Sequence, residues 1–374
     1  MRILISAGEL SGSMHAAQLV KAWRKRDPSV VFCGMGGTAM ADAGVQLLVN
    51  SDQQLSFMGF SGIFKKLGQL YSAWKALTKL IADPKSRPDW LILVDYGGFN
   101  LPLAWYAKRY QVKVCYYIPP KTWASRAWRL ALLRRWVTCV AVIFPFEANY
   151  FNRHQVKAYY VGNPTLQRLQ PLLSQQRAVT LQPPPPAASI ALMPGSRAGE
   201  VNKLLPIMLQ ALNKIANVKI YLVPAANLDL KLYNDILANF PQLKVQLLAA
   251  GDLSTVYHKC HAAIVASGTA TLELGLLNVP AVVVYRLSWI EYLLARMVIT
   301  VSYVALSNIL VNKAVVTELL QDDCNPKAIQ KELLALLYQK EHLQKVLEGY
   351  QALRDALQGP SADLIDVLTH YNEN

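Results

Sequence analysis

Ser189–Val201 reads SIALMPGSRAGEV: a short apolar run, a Pro-Gly break, then Ser196 and Arg197 before a helical pattern resumes. An apolar run of that length is the mark of a buried strand. A strand, a tight loop and a helix start leave unpaired N–H groups at the positive end of a helix dipole, which suits an anion. Gly195 lets a ligand approach the backbone, and Ser196 adds a hydroxyl donor. Arg197 adds a planar, permanently charged fork that can grip phosphate with two hydrogen bonds. The bland alternative is an ordinary connection carrying one surface arginine.

A second loop has similar chemistry. Ser267-Gly-Thr-Ala-Thr-Leu-Glu273 follows the apolar run Ala262–Ala266. Ser267, Gly268 and Thr269 are small residues at a helix start, and Glu273 lies about one turn further in, where a carboxylate could take both hydroxyls of a ribose. A helix cap alone would account for Ser267 or Thr269. Together the two loops outline a nucleoside diphosphate site. Their glycine spacing fits neither a Walker A loop nor a dinucleotide fingerprint, which argues against kinase and dehydrogenase readings.

Two groups are candidate bases. Asp95 ends the apolar run Trp90–Val94 and precedes Tyr96-Gly97-Gly98-Phe99-Asn100. A carboxylate at the mouth of a sheet can deprotonate a hydroxyl nucleophile within hydrogen-bond reach, and it can equally be a loop aspartate bonding local backbone. His15 follows Gly8–Ser13, read as a Gly- and Ser-rich loop, where a lone histidine is more often structural.

Such groups need a scaffold. A chain of 374 residues exceeds a single core, so two domains are expected. In the first part, strand-like Ile3–Ser6, Val30–Cys33, Trp90–Val94, Val112–Ile118 and Thr138–Phe144 alternate with helix-like pieces such as His15–Arg26. In the second part, Ile190–Met193, Lys219–Val223, Val245–Leu248, Ala262–Ala266 and Ala281–Tyr285 do the same. Alternating strands and helices make parallel βαβ units and doubly wound sheets, which bind ligands beyond the strands' carboxyl ends. The four prolines Pro183–Pro186 favour an extended linker. The expected division is 1–170, a linker at 171–187, and 188–344, with helices at about 345–374 packed on the first domain or on a partner chain's.

The net charge is +14, and neither Gln53–Ala82 nor Tyr96–Phe146 contains an acidic residue. Such a field seeks phosphorylated substrates, an anionic membrane or a polyanion. Ile63, Leu67, Leu70, Trp74, Leu77 and Ile81 make one apolar face, decorated by Lys65, Lys66, Lys75 and Lys79. That face either packs on a sheet or, with Phe57, Met58 and Phe60, docks reversibly on a membrane. No apolar run is long enough to span a bilayer. The N-terminus begins directly with a strand, so no export signal is expected. Cys33, Cys115, Cys139, Cys260 and Cys324 form no CxxC and read as reduced core residues, with no metal site and no cofactor expected.

The motifs converge on a family. AGELSGSMHAA (Ala7–Ala17) resembles the opening AGExSGDxHGA of lipid A disaccharide synthases, and VDYGGFN (Val94–Asn100) resembles their IDxPDFN. PPKTWA (Pro119–Ala124) is similar to SPSVWA. GMGGTAM, FPFEANYF, VGNP, LMPGSRAGEV, ASGTATLE, VVVYR and ALSNIL fit the same series in the same order. The resemblance implies an α/β chain of GT-B architecture, with two Rossmann-like doubly wound domains facing each other across a cleft. It implies an inverting, metal-free transfer of diacylglucosamine from its UDP conjugate to diacylglucosamine 1-phosphate, releasing UDP.

Carried onto this sequence, the resemblance makes Asp95 the base. It gives the acylated sugars Gly8, Glu9, Ser11, Gly12, His15, Asn100 and Trp123. UDP falls to Gly195, Ser196, Arg197, Ser267, Gly268, Thr269, Glu273 and Asn308. It also implies a peripheral protein on the cytoplasmic face of the inner membrane and a homodimer with exchanged C-terminal segments. Four residues depart from the pattern: Ser13 replaces Asp, Gly97-Gly98 replaces Pro-Asp, and Asn163 replaces His. A different acceptor, a divergent member of lower activity, or another UDP-sugar enzyme on the same scaffold, such as an epimerase, stays open. A nucleic-acid or membrane binder without catalysis is compatible with the charge, but no motif for reading nucleic acid is present.

Overall fold

The computed structural model describes residues 1–51, 62–175, 187–213, 215–288, 292, 301–359 and 361–373. Phe57, Met58 and Phe60, and the proline run Pro183–Pro186, lie outside these residues, as do the side chains of Ile63, Lys65, Lys66 and Leu67. Within the described residues the chain divides into two compact units, Met1–Pro164 with Gly359–Asn374, and Thr165–Gln358.

Unit 1 holds β1 (Arg2–Ala7), β2 (Val31–Gly36), β3 (Gln46–Asn50), β4 (Trp90–Val94), β5 (Lys113–Tyr117), β6 (Cys139–Val142) and β7 (Ala158–Tyr160), all parallel and ordered β3-β2-β1-β4-β5-β6-β7. β4 is buried at every position, as its unbroken WLILV run requires of a central parallel strand. One face packs Leu91, Leu93 and Val114 against Leu77 and Ile81 of the helix Gly62–Ala82. The other packs Ile3, Ile5 and Ile92 against Val20 and Trp23. The basic segment's last turns are therefore sheet-packed, with Lys75 and Lys79 left exposed.

Unit 2 holds β8 (Ala188–Met193), β9 (Val218–Leu222), β10 (Val245–Leu247), β11 (Ala262–Ala266), β12 (Ala281–Tyr285) and β13 (Glu318–Leu320), again parallel and ordered β10-β9-β8-β11-β12-β13. In both sheets the winding reverses once, between β1 and β4 and between β8 and β11. These are the topological switch points, where crossovers diverge to opposite sides and open a crevice beyond the strand ends.

The C-terminal stretch divides between the units. The helix Lys340–Leu357 stays with unit 2, with Tyr350 and Leu353 lying where Gly275 has no side chain. Only Gly359–Asn374 joins unit 1, where Leu364, Ile365 and Leu368 are buried in its core and Arg26 bridges Asp363 and Asp366. Of the stretch of about 345–374, expected on the first domain or on a partner chain's, the helix Leu364–Glu373 lies in unit 1.

Candidate active site

In unit 1 the expected loop Gly8–Ser13 is mostly helix. The helix Leu10–Arg26 begins directly after Gly8-Glu9, so Ser11 and Gly12 are in its first turn and His15 is in its second. Ser11 is exposed, Gly12 is buried and His15 is half-buried. Gly8 has no room for a side chain: a Cβ there would stand 2.3 Å from the Tyr96 ring. The β1 and β4 loops thus close on each other across the switch point, with Glu9 near enough to Tyr96 to raise its phenol pKa further after burial has done so.

Asp95 and Tyr96 are both left-handed, with φ of 47° and 50°. Ile118 at the end of the adjoining β5, and Arg126 beyond it, are left-handed as well, at 56° and 53°. Each costs on the order of 1–3 kcal/mol in a non-glycine residue and persists only where the surroundings enforce it. The enforcing groups are visible. The Tyr116 hydroxyl donates to the Asp95 carbonyl at 2.7 Å, and Asn100 Nδ2 donates to the same carbonyl at 2.8 Å. Asn100 also donates to Val94 and Ser6 carbonyls, while its Oδ1 accepts from the Ser6 hydroxyl at 2.7 Å.

Asn100, expected to bind substrate, here bonds the backbone around Asp95. It is fully buried and its amide is spent on holding the Asp95 turn. The Asp95 side chain is left half-buried at the lip of the sheet.

Trp123 lies beyond β5, where its indole N–H donates to buried Glu147 at 2.9 Å. Burial pushes Glu147 up to about 7, against the opposing pull of this bond and of Lys121. Nothing in the sequence reading marked Glu147 beyond its place in FPFE. The departures also have places. The Ser13 hydroxyl accepts from Gly37 N–H at 2.8 Å, and buried Asn163 donates to the Ile143 carbonyl.

In unit 2 the loops after β8 and β11 flank the second switch point. Gly195 has φ of 110°, a conformation that side chains avoid, and Arg197 occupies the N-cap position of the helix Ala198–Leu212 without a side-chain capping bond. Ser196 and Arg197 are exposed. Glu200, in the first turn, places one oxygen 2.8 Å from the Arg197 guanidinium and accepts from Ser196 N–H at 3.3 Å with the other. A carboxylate thus rests on the donors expected to take a phosphate.

Beyond β11, Gly268 and Thr269 are exposed, and Ser267 donates to the Val304 carbonyl. Glu273 lies in the helix Thr269–Leu276, held by an ion pair with Arg168. Burial raises its pKa, and Arg168 opposes the rise. Asn308, expected at the UDP site, is likewise held by the protein. It is fully buried, donates to Val316 O and Glu318, and accepts from the Val315 and Val316 N–H groups. Its bonds hold the segment Val315–Glu318.

The family profile described as lipid-A-disaccharide synthetase matches residues 3–364. The chain belongs to the lipid-A-disaccharide synthase family. A synthase of that name from Syntrophus aciditrophicus is 38% identical over 366 residues, covering 96% of this chain and 94% of its own. One from Coxiella burnetii is 34% identical over 376 residues, covering 98% and 97%. Members of this synthase family are glycosyltransferases, and this one has the GT-B fold. UDP-GlcNAc 2-epimerase from Neisseria meningitidis, solved with UDP-GlcNAc, superposes with a TM-score of 0.62 at 13% identity, covering 100% of both chains. MurG from Acinetobacter baumannii superposes at 0.55 and 15% identity, covering 95% of this chain and 97% of its own. At such identities the likeness speaks for fold alone.

Proposed function

We propose that this chain transfers 2,3-diacylglucosamine from its UDP conjugate to 2,3-diacylglucosamine 1-phosphate, giving the disaccharide 1-phosphate and UDP. The observation that carries this reading is the pair of switch points. One presents a carboxylate on an enforced left-handed turn, and the other presents N–H donors and a guanidinium. Asp95 takes the proton of the acceptor hydroxyl, whose oxygen attacks the anomeric carbon. The bond to the diphosphate breaks, and its electron pair leaves with UDP. Ser196, Arg197 and the Ser267–Thr269 loop stabilise the charge that develops there, since preorganised donors need no reorganisation as the reaction proceeds. Glu273 takes the ribose hydroxyls once Arg168 shares or yields it.

The reading places the protein peripherally on the cytoplasmic face of the inner membrane, where acylated substrates reside, as a possible homodimer. The acid-free stretches of the N-terminal half support attraction to anionic lipid. The deciding assay supplies both lipid substrates in detergent and detects released UDP. Release that requires the acylated donor and acceptor supports the reading. Equal use of plain UDP-N-acetylglucosamine, or no release, would overturn it.

A further inference from the structure

Immediately beyond the Asp95 turn, a cavity of about 340 Å³ runs between the helices Gly97–Arg109 and Arg129–Trp136. Gly98, Leu101 and Trp105 line one wall, and Trp128, Leu132 and Trp136 line the other. Trp105 and Trp128 are 41% and 63% exposed, an unusual cost for large apolar rings unless something covers them. From Gly98 to Trp105 the groove follows about 10 Å of helix at 1.5 Å per residue. A Cβ at Gly98 would meet nothing within 4 Å, so this wall is open there.

One charge interrupts the apolar lining. The Arg129 guanidinium stands 3.2 Å from where a Cβ of Gly97 would be, at the Asp95 end of the groove. Its Nε is buried with no hydrogen-bond partner, and among the described residues it pairs with no carboxylate. An apolar trough ending in a guanidinium that lies over the Trp128 ring and has its buried Nε unpartnered is complementary to an anionic amphiphile, not to a neutral lipid or a free phosphate.

We propose that this groove holds one acyl chain of the acceptor, with the acceptor's anionic head beside Arg129. The proposal rests on the transferase reading, because only that reading puts an acylated phosphosugar at Asp95. The groove then sets which acceptor chain lengths are used. Gly98 is the residue that keeps it open, and Trp105 and Trp136 close its far end.

The test titrates the full chain with dodecyl phosphate below its micelle concentration, following tryptophan fluorescence, with inorganic phosphate and dodecyl maltoside as companion probes. Gly98→Leu fills the trough and favours the helix it sits in, so folding is retained. It is expected to weaken dodecyl phosphate about tenfold while UDP binding is unchanged. Arg129→Gln is expected to weaken dodecyl phosphate about tenfold and leave dodecyl maltoside unaffected. Undiminished dodecyl phosphate binding by Gly98→Leu would overturn the proposal. So would inorganic phosphate binding as tightly as dodecyl phosphate.

Turnover separates the two readings. If the wild type releases UDP from the lipid pair but Gly98→Leu leaves the acceptor KM unchanged, the groove assignment fails alone. If dodecyl phosphate binds as expected without any turnover, the transferase reading fails, and with it the acceptor as occupant, while the groove stands as a site for an anionic amphiphile.

Discussion

Glu200 lies across the anion loop of unit 2, bonded to the Arg197 guanidinium at 2.8 Å. The same carboxylate accepts from Ser196 N–H, so an internal anion holds the donors that a diphosphate would use. A bound diphosphate must share or displace it, and two like charges about 4 Å apart in water repel by about 1 kcal/mol. Glu200→Gln should therefore bind UDP about fivefold more tightly by calorimetry. Arg197→Ala should do the reverse, weakening UDP by about tenfold or more through lost charged hydrogen bonds. Unchanged affinity in both variants would remove this loop from the donor site.

Asp95 has a role separable from donor binding. Asp95→Asn keeps the shape and the backbone bonds from Tyr116 and Asn100, both of which go to the Asp95 carbonyl. Turnover should fall by about a hundred- to ten-thousandfold, the usual worth of a general base, while the Kd for UDP stays at the wild-type value. Full turnover in this variant would refute the assignment.

Glu147 links stability to pH. Burial pushes its carboxyl from 4.5 up to about 7, so the folded chain favours the protonated form. That contribution is complete below about 4.5 and is lost as pH rises through about 7. The wild-type melting temperature should fall across this window. Glu147→Gln, a permanently neutral stand-in that still accepts from Trp123, should flatten the fall. Equal slopes for the two proteins would show that another group titrates.

The last helix is anchored by packing more than by charge. Leu368 is fully buried in the unit 1 core, whereas the Arg26, Asp363 and Asp366 side chains are 49%, 38% and 72% exposed. Leu368→Ala should cost about 2–5 kcal/mol in urea unfolding of that unit. Arg26→Ala should cost no more than about 1 kcal/mol, because water screens exposed pairs.

Much of the scaffold was readable before any coordinates. Ten strands carry apolar runs that the chain advertises, and nine of them are interior parallel strands, which are buried on both faces. The three that were overlooked, Gln46–Asn50, Ala158–Tyr160 and Glu318–Leu320, are edge strands. With a neighbour on one side only, an edge strand can be short, and these three span five residues or fewer.

The linear order of residues by itself determined two αβ series, an Asp at a strand's end, a Gly-Ser-Arg loop, and the motif series of a synthase family. Those signals are local, because burial, loop breaks and charge are written in neighbouring residues. Only the tertiary structure decided which polar groups remain available. It spent Asn100 and Asn308 on backbone atoms, set Glu200 on Arg197 and Arg168 on Glu273, and left Arg129 facing an apolar groove. A hydrogen-bonding group's availability depends on which atoms the fold brings within about 3 Å of it, and residue order does not give that even for Arg197 and Glu200, three residues apart.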